Sequence, residues 1–208
     1  HKEYRRQRQM CIRDRMYDLG HLYLRWQARS DAPIRITPLE PADRMFTHDR
    51  GADTFGLYLQ GRPSAIGKDP AGRPGDVRLV FGVFDDGGTT RPAALALYPE
   101  WKKPGGHAVT YGSPVSKTSL AHVALAAQVR LAHRLDADGK GLTLTAVIPR
   151  GALPEETPDW SEGLRTTVNF DATFGGNRKI WWSNADGSAS RETNDEPTEA
   201  RLYPGSWG

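Results

Sequence analysis

Cysteine is nearly absent from this 208-residue chain, which has only Cys11. One thiol closes no intrachain disulfide and builds no Cys-based zinc site. No apolar run approaches the ~20 residues of a membrane-spanning helix. The N-terminus is basic, but the apolar segment of a signal peptide does not follow it. Local catalytic signatures are also missing: there is no GxSxG elbow, HExxH or phosphate-binding P-loop. Carboxylates are plentiful, yet none stands in a local pattern that demands an acid/base pair. The six histidines, His1, His21, His48, His107, His122 and His133, show no zinc-ligand spacing.

What the chain does contain is a moderately apolar, well-charged composition, 38% hydrophobic and 25% charged, which suits a single folded domain. Its net charge is +3. Residues 1–16, HKEYRRQRQMCIRDRM, hold six Lys/Arg and two Asp/Glu, a net +4, so the remainder carries 3 − 4 = −1. A basic arm commonly meets nucleic acid or an anionic membrane. Here Met10–Arg15, MCIRDR, resembles the translation of a transposon-end sequencing adapter. Residues 1–16 are therefore expected to be a non-native arm that packs against nothing, with 17–208 as the domain. Neither nucleic acid nor membrane is then an expected partner.

From Tyr17 onward the text is that of a β-protein. Leu22, Leu24 and Trp26 alternate with Tyr23, Arg25 and Gln27, which predicts a strand with Trp26 in the core. DTFGLYLQ (53–60) is a second strand, with Gly56 a weak point or bulge. DVRLVFGVF (76–84) places Val77, Leu79, Phe81 and Val83 on one face. Asp85-Asp86-Gly87-Gly88 predicts a hairpin turn, because glycine supplies positive φ, and Ala93–Tyr98 returns beside it. His107–Tyr111 is a short strand. SLAHVALAAQVRLAHRL (119–135) has good helix propensity but also alternates, and strand is the reading preferred. Gly139-Lys140-Gly141 turns into LTLTAVIP, residues 149–158 are a loop or a single helical turn around Ala152-Leu153, and strands follow at 164–171, at Trp181-Trp182 and at 199–203. Nine or ten short strands between Gly/Pro loops predict an all-β antiparallel sandwich or barrel.

Ile180-Trp181-Trp182-Ser183-Asn184 carries the functional reading. Alternation sends adjacent indoles to opposite faces. The expectation is Trp181 inward and Trp182 outward, a flat apolar plate with hydrogen-bonding groups at its rim, which is what a sugar ring requires. The alternative is that both rings pack inside, as tryptophan mostly does, or that one merely covers loops.

YDLGHLYLRWQARSDAPI, DTFGLYLQ, GDVRLVFGVF, LTLTAVIPRGAL and RKIWWSN…NDEPTEARLYPGSWG, in that order, resemble family 9 carbohydrate-binding modules and related domains of secreted bacterial proteins. The resemblance covers about residues 17–208. It implies a jelly-roll-like β-sandwich that binds sugar without catalysis, often with structural calcium, as a module of a larger extracellular or periplasmic protein acting on polysaccharide. Adapter-like text stands where the family's first strand belongs, and the chain stops where a last strand is expected, so a fragment clipped at both ends is the expectation.

In such modules a sugar lies between aromatic rings with polar residues at its hydroxyls. Trp182 and Asn184 match that strand, Trp101 is the candidate for the opposite plate, and Arg178 and Arg78 are candidates for pairing hydroxyls. For both arginines the plain alternative is a solvated, outward-facing strand residue. Trp207 reads as packing. Calcium takes six to eight oxygens, and Asp136, Asp138 and Asp195 are the candidates. DADGKG (136–141) is more simply a turn, because the later acidic ligand of an EF-hand is missing. A haem b electron-transfer domain of similar architecture is the main rival, with Met45 and His48 as candidate ligands; two near neighbours on one loop are poorly placed to reach opposite haem faces. A purely structural linker sandwich is the third reading.

Overall fold

Val77–Asp86 (β5) shows how the fold is made. Its odd residues Val77, Leu79, Phe81 and Val83 are buried in one core, and its even residue Val80 is buried in another. A strand buried on both faces belongs inside a sheet covered on both sides. The computed structural model describes residues 9–18, 20–41, 44, 52–61, 72–100, 106–155, 157, 168–174, 178–181, 200 and 202, with 9–16, 174 and 178–181 described through their backbone only.

Among the described residues there are twelve strands in two sheets. The smaller sheet has the order β1-β2-β10-β9, formed by Gln9–Tyr17, His21–Arg29, Gly141–Pro149 and Arg130–Leu135. The larger has eight strands. Arg178–Trp181 (β12), Val168–Phe174 (β11), Thr54–Leu59 (β4), β5, Thr89–Tyr98 (β6), Lys117–Leu125 (β8) and His107–Gly112 (β7) follow one another, and Thr37–Pro38 (β3) pairs with β5. All pairings are antiparallel except the two-residue β3–β5 contact. The protein is thus an all-β sandwich.

The main core lies between the sheets. Trp26 is fully buried there, stacked on Phe55 with ring centroids 5.6 Å apart and tilted against Phe81 at 4.7 Å. Leu57, Leu79, Leu144, Ala146, Ile148, Phe170 and Ala172 complete its centre. The second core covers the opposite face of the larger sheet and joins Tyr58, Val80, Leu95, Leu97, Tyr111, Leu120 and Val123 to Ala200 and Leu202.

Local chemistry sets the connections. Gly87 (φ 66°) and Gly88 (φ 91°) form the two-residue loop of the β5–β6 hairpin, whose twist requires positive φ at both positions. Pro92, which cannot donate to a ladder, is tolerated in β6 because β8 pairs only with Leu95–Tyr98. The expected single segment 119–135 is two strands, β8 in one sheet and β9 in the other, joined by a turn in which Val129 N–H donates to Ala126 O. The turn near Ala152 is present as a 3₁₀ turn, Arg150–Ala152. Of the expected last strand, Ala200 is helical rather than extended, and Ala200 and Leu202 are both buried.

The arm requires a correction. Residues 1–16 were expected to pack against nothing, but Gln9–Tyr17 pairs with β2 from Gln9↔Arg29 to Tyr17↔Leu22. The reason lies in the backbone. Asp18 turns the chain: its Oδ1 accepts from Gly20 and His21 N–H at 2.7 Å each, and its Oδ2 accepts from Tyr23 Oη at 2.8 Å. The segment before it is thereby laid along the edge of β2 that β10 leaves open. An open edge presents N–H and C=O groups that any extended chain satisfies, whatever its side chains.

Candidate functional site

A cluster of buried polar side chains lies on the second-core face of the larger sheet. Tyr58 and Arg78 are direct partners across β4 and β5, and Asn169 pairs with Tyr58 from the other side. Directly paired residues share a face, so three polar side chains collect there. Asp171, paired with Gly56, is the fourth. Its Oδ2 accepts from Tyr58 Oη at 2.7 Å and from Arg78 Nη2 at 3.3 Å. The Arg78 and Asp171 side chains are 2% and 3% exposed. Arg78 Cζ also lies 5.0 Å from the centre of the Tyr58 ring, within cation–π range.

Gly56 makes this cluster possible. A Cβ there would stand 1.9 Å from Asp171 Oδ1. The β4 ladder keeps an unbroken register through Gly56 on both sides, so the expected weak point is no bulge: the missing side chain makes room for a carboxylate. Burying a carboxylate and a guanidinium is costly, and here Asp171 accepts from both the Tyr58 hydroxyl and the Arg78 guanidinium, while the guanidinium gains a carboxylate acceptor and the face of the Tyr58 ring.

β12 borders this cluster. Trp181 is the register partner of Asp171, and Ile180 is the partner of Ala172, which faces the main core. Trp181 therefore holds the register position of the polar face. Both faces of the larger sheet are covered, so this register assigns Trp181 to the second-core face, and the expected inward–outward division between Trp181 and Trp182 lies outside the described residues.

The remaining sequence candidates divide clearly. Arg78 is not the solvated strand residue that its alternation suggested; it is buried against Asp171 and Tyr58 because the larger sheet is covered on this face too. Arg178 pairs through its backbone with Phe174. Trp182, Asn184, Trp101, Asp195, Met45, His48 and Trp207 lie outside the described residues.

Asp136 and Asp138 are brought together, but around a cation of the protein's own. Arg29 Nη1 reaches Asp136 Oδ2 at 3.0 Å, and Nη2 reaches Asp138 Oδ2 at 2.5 Å. Lys140 N–H donates to Asp138 Oδ1 at 3.0 Å. That backbone bond first, then Arg29, holds the Asp138 carboxyl below its ordinary value. Among the described residues no three His, Cys, Asp or Glu side chains converge as a metal site would require.

Sequence reasoning missed Tyr58 and Asp171. A glycine within a strand marks a close approach of another group, and Gly56 was the available signal. In comparison with known proteins, the chain matches no family model, no curated protein and no solved structure.

Proposed function

We propose that this domain binds saccharide without catalysis, at the β12 border of the larger sheet, as a module of a secreted polysaccharide-active protein. The observation that carries the reading is the Asp171–Trp181 register pair. It sets an indole-bearing position beside a buried carboxylate, fixed in turn by Tyr58 and Arg78. In this reading the indole supplies the apolar plate on which a pyranose C–H face stacks, and the buried cluster fixes the strand pairing that places it. In this reading Arg78 does not touch the sugar: it positions Asp171, and through β11 the strand that carries Trp181. The stacking role expected of Trp182 passes to Trp181. The resemblance of the motif order to that of family 9 modules supports the same ligand class.

The test is isothermal calorimetry of the chain against soluble neutral oligosaccharides. Saturable binding that is lost in Trp181→Ala while the melting transition persists supports the reading. Binding to none of a broad panel overturns it.

A further inference from the structure

The outer face of the smaller sheet, away from both cores, carries a concentration of positive charge that the overall composition hides. In β9 the inward residues are Leu131 and Leu135, packed on the main core, while Arg130, Ala132 and Arg134 are exposed. In β2 the inward Leu24, Trp26 and Ala28 alternate with the outer residues Tyr23, Arg25, Gln27 and Arg29. β10 runs between them: Val147 pairs with Arg130 and Tyr23, Thr145 with Ala132 and Arg25, and Thr143 with Arg134 and Gln27. Arg25 thus stands level with the midpoint between Arg130 and Arg134.

Strand spacing and rise put Arg25 about 10 Å from the β9 row, and Arg130 about 14 Å from Arg134. Val147, the register partner of both Arg130 and Tyr23, ties the two rows together in space. No acidic residue lies within β2, β9 or β10. Asp136 and Asp138 at one end are engaged by Arg29, and Asp18 at the other end holds the Tyr23 hydroxyl. Asp14 of β1 is the register partner of Arg25. It belongs to the adapter-like arm, so Arg130 and Arg134 are the residues on which the argument rests.

We infer that this face docks an extended anionic polysaccharide, one bearing carboxylates or sulfates at regular intervals. The choice of a saccharide rests on the function proposed above; the choice of an anion rests on the arginines. Arg130 and Arg134, spaced along one strand, meet more than one charge of a repeating polyanion, and exposed Thr145 on the neighbouring strand supplies a neutral hydrogen-bonding group. Nucleic acid fits less well. A single strand calls for several aromatic platforms where this face has only Tyr23 among the described residues of β2, β9 and β10, and a duplex groove admits a helix or a two-stranded ribbon rather than a broad sheet.

The experiment titrates the full chain with oligogalacturonate of defined length, a neutral glucan oligomer of equal length, and a short DNA duplex. Arg130→Gln/Arg134→Gln is compared with an arm variant, Lys2→Gln/Arg5→Gln/Arg6→Gln/Arg8→Gln. Thr145→Glu, which introduces an anion at the centre of the face, is the second probe. The sheet variant should lose about five- to tenfold in oligogalacturonate affinity, the sum of two exposed charge contacts. Thr145→Glu should weaken binding too, and the arm variant should change it less than about twofold. Neutral-glucan binding, read in parallel, should be the same in all three, so failure of the sugar site at β12 would be seen separately. Unchanged oligogalacturonate affinity in the sheet variant, loss confined to the arm variant, or tighter binding of the duplex would each overturn the inference.

Discussion

Arg78 and Asp171 meet through one guanidinium N–H at 3.3 Å, on strands separated by β4, with both side chains shut away from solvent. A charge pair in such a place is a commitment. Removing either partner leaves the other buried and uncompensated, a loss of about 3–5 kcal/mol. Arg78→Met or Asp171→Leu alone should destabilise by about that amount in chemical denaturation. The double variant should cost clearly less than the sum, since it leaves neither charge behind. Strict additivity of the two losses would show that the pair carries no coupling.

Gly56 tests the same cluster from the backbone side. A Cβ added there meets Asp171 Oδ1 at 1.9 Å, so Gly56→Ala should lower stability by about 1–3 kcal/mol through overpacking. Combining it with Asp171→Ala, which removes the obstructing oxygen, should make the glycine change nearly silent. If Gly56→Ala is equally costly in both backgrounds, the clash lies elsewhere.

Much of this architecture was legible in the sequence. Val77, Leu79, Phe81 and Val83 alternated visibly, and Gly87-Gly88 announced its hairpin. Arg78 was misread because alternation alone assigns one face of a strand to water. The correcting signal was present: LYL, RLVFGVF and AALALY are near-continuous apolar runs, the mark of strands covered on both faces. The segment 119–135 concealed a different event. Its alternation continues smoothly while the chain crosses from one sheet to the other, and periodicity carries no information about sheet membership. Which face Trp181 shares is likewise set by its register with β11, which periodicity does not carry, since one residue of register exchanges the faces of a whole strand.

The turn aspartates give the protein an acid limb. Asp138 is held below its ordinary 3.8 by the Lys140 N–H and then Arg29, and Asp18 by the Gly20 N–H and then the Tyr23 hydroxyl. A carboxyl depressed in the folded state contributes stability above its unfolded value. That stability is lost as pH falls from about 3.8 through the lower folded value. The melting temperature should therefore drop as pH falls through this window, and Asp18→Asn/Asp138→Asn should make the drop shallower. An acid limb of identical slope in the variant would assign the loss to other groups.

The rival cofactor gives a clean spectroscopic contrast. The chain mixed with haem should show no Soret shift that depends on Met45 or His48. A six-coordinate spectrum abolished by Met45→Leu or His48→Ala would make electron transfer the better reading.

Trp181 and Trp182 decide the saccharide site. Trp181 shares register with Asp171 on the polar face, while Ile180 shares it with the core residue Ala172. The expected outcome for Trp181→Ala is a domain that still melts cooperatively and no longer binds oligosaccharide. Hydrogen bonds to a sugar largely replace its bonds to water, so they contribute little net affinity once the stacking plate is gone. Trp182 follows in sequence, and Trp182→Ala should be the more destabilising change, by about 3–5 kcal/mol if strand alternation continues through it into the core. Calorimetry and thermal melting on both variants separate the possibilities. If Trp182→Ala folds and loses binding while Trp181→Ala unfolds, the strand presents the opposite face to the ligand and the register argument fails. If both fold and bind like the parent, the sugar is held away from β12, and the buried Tyr58–Arg78–Asp171 cluster has a structural role only.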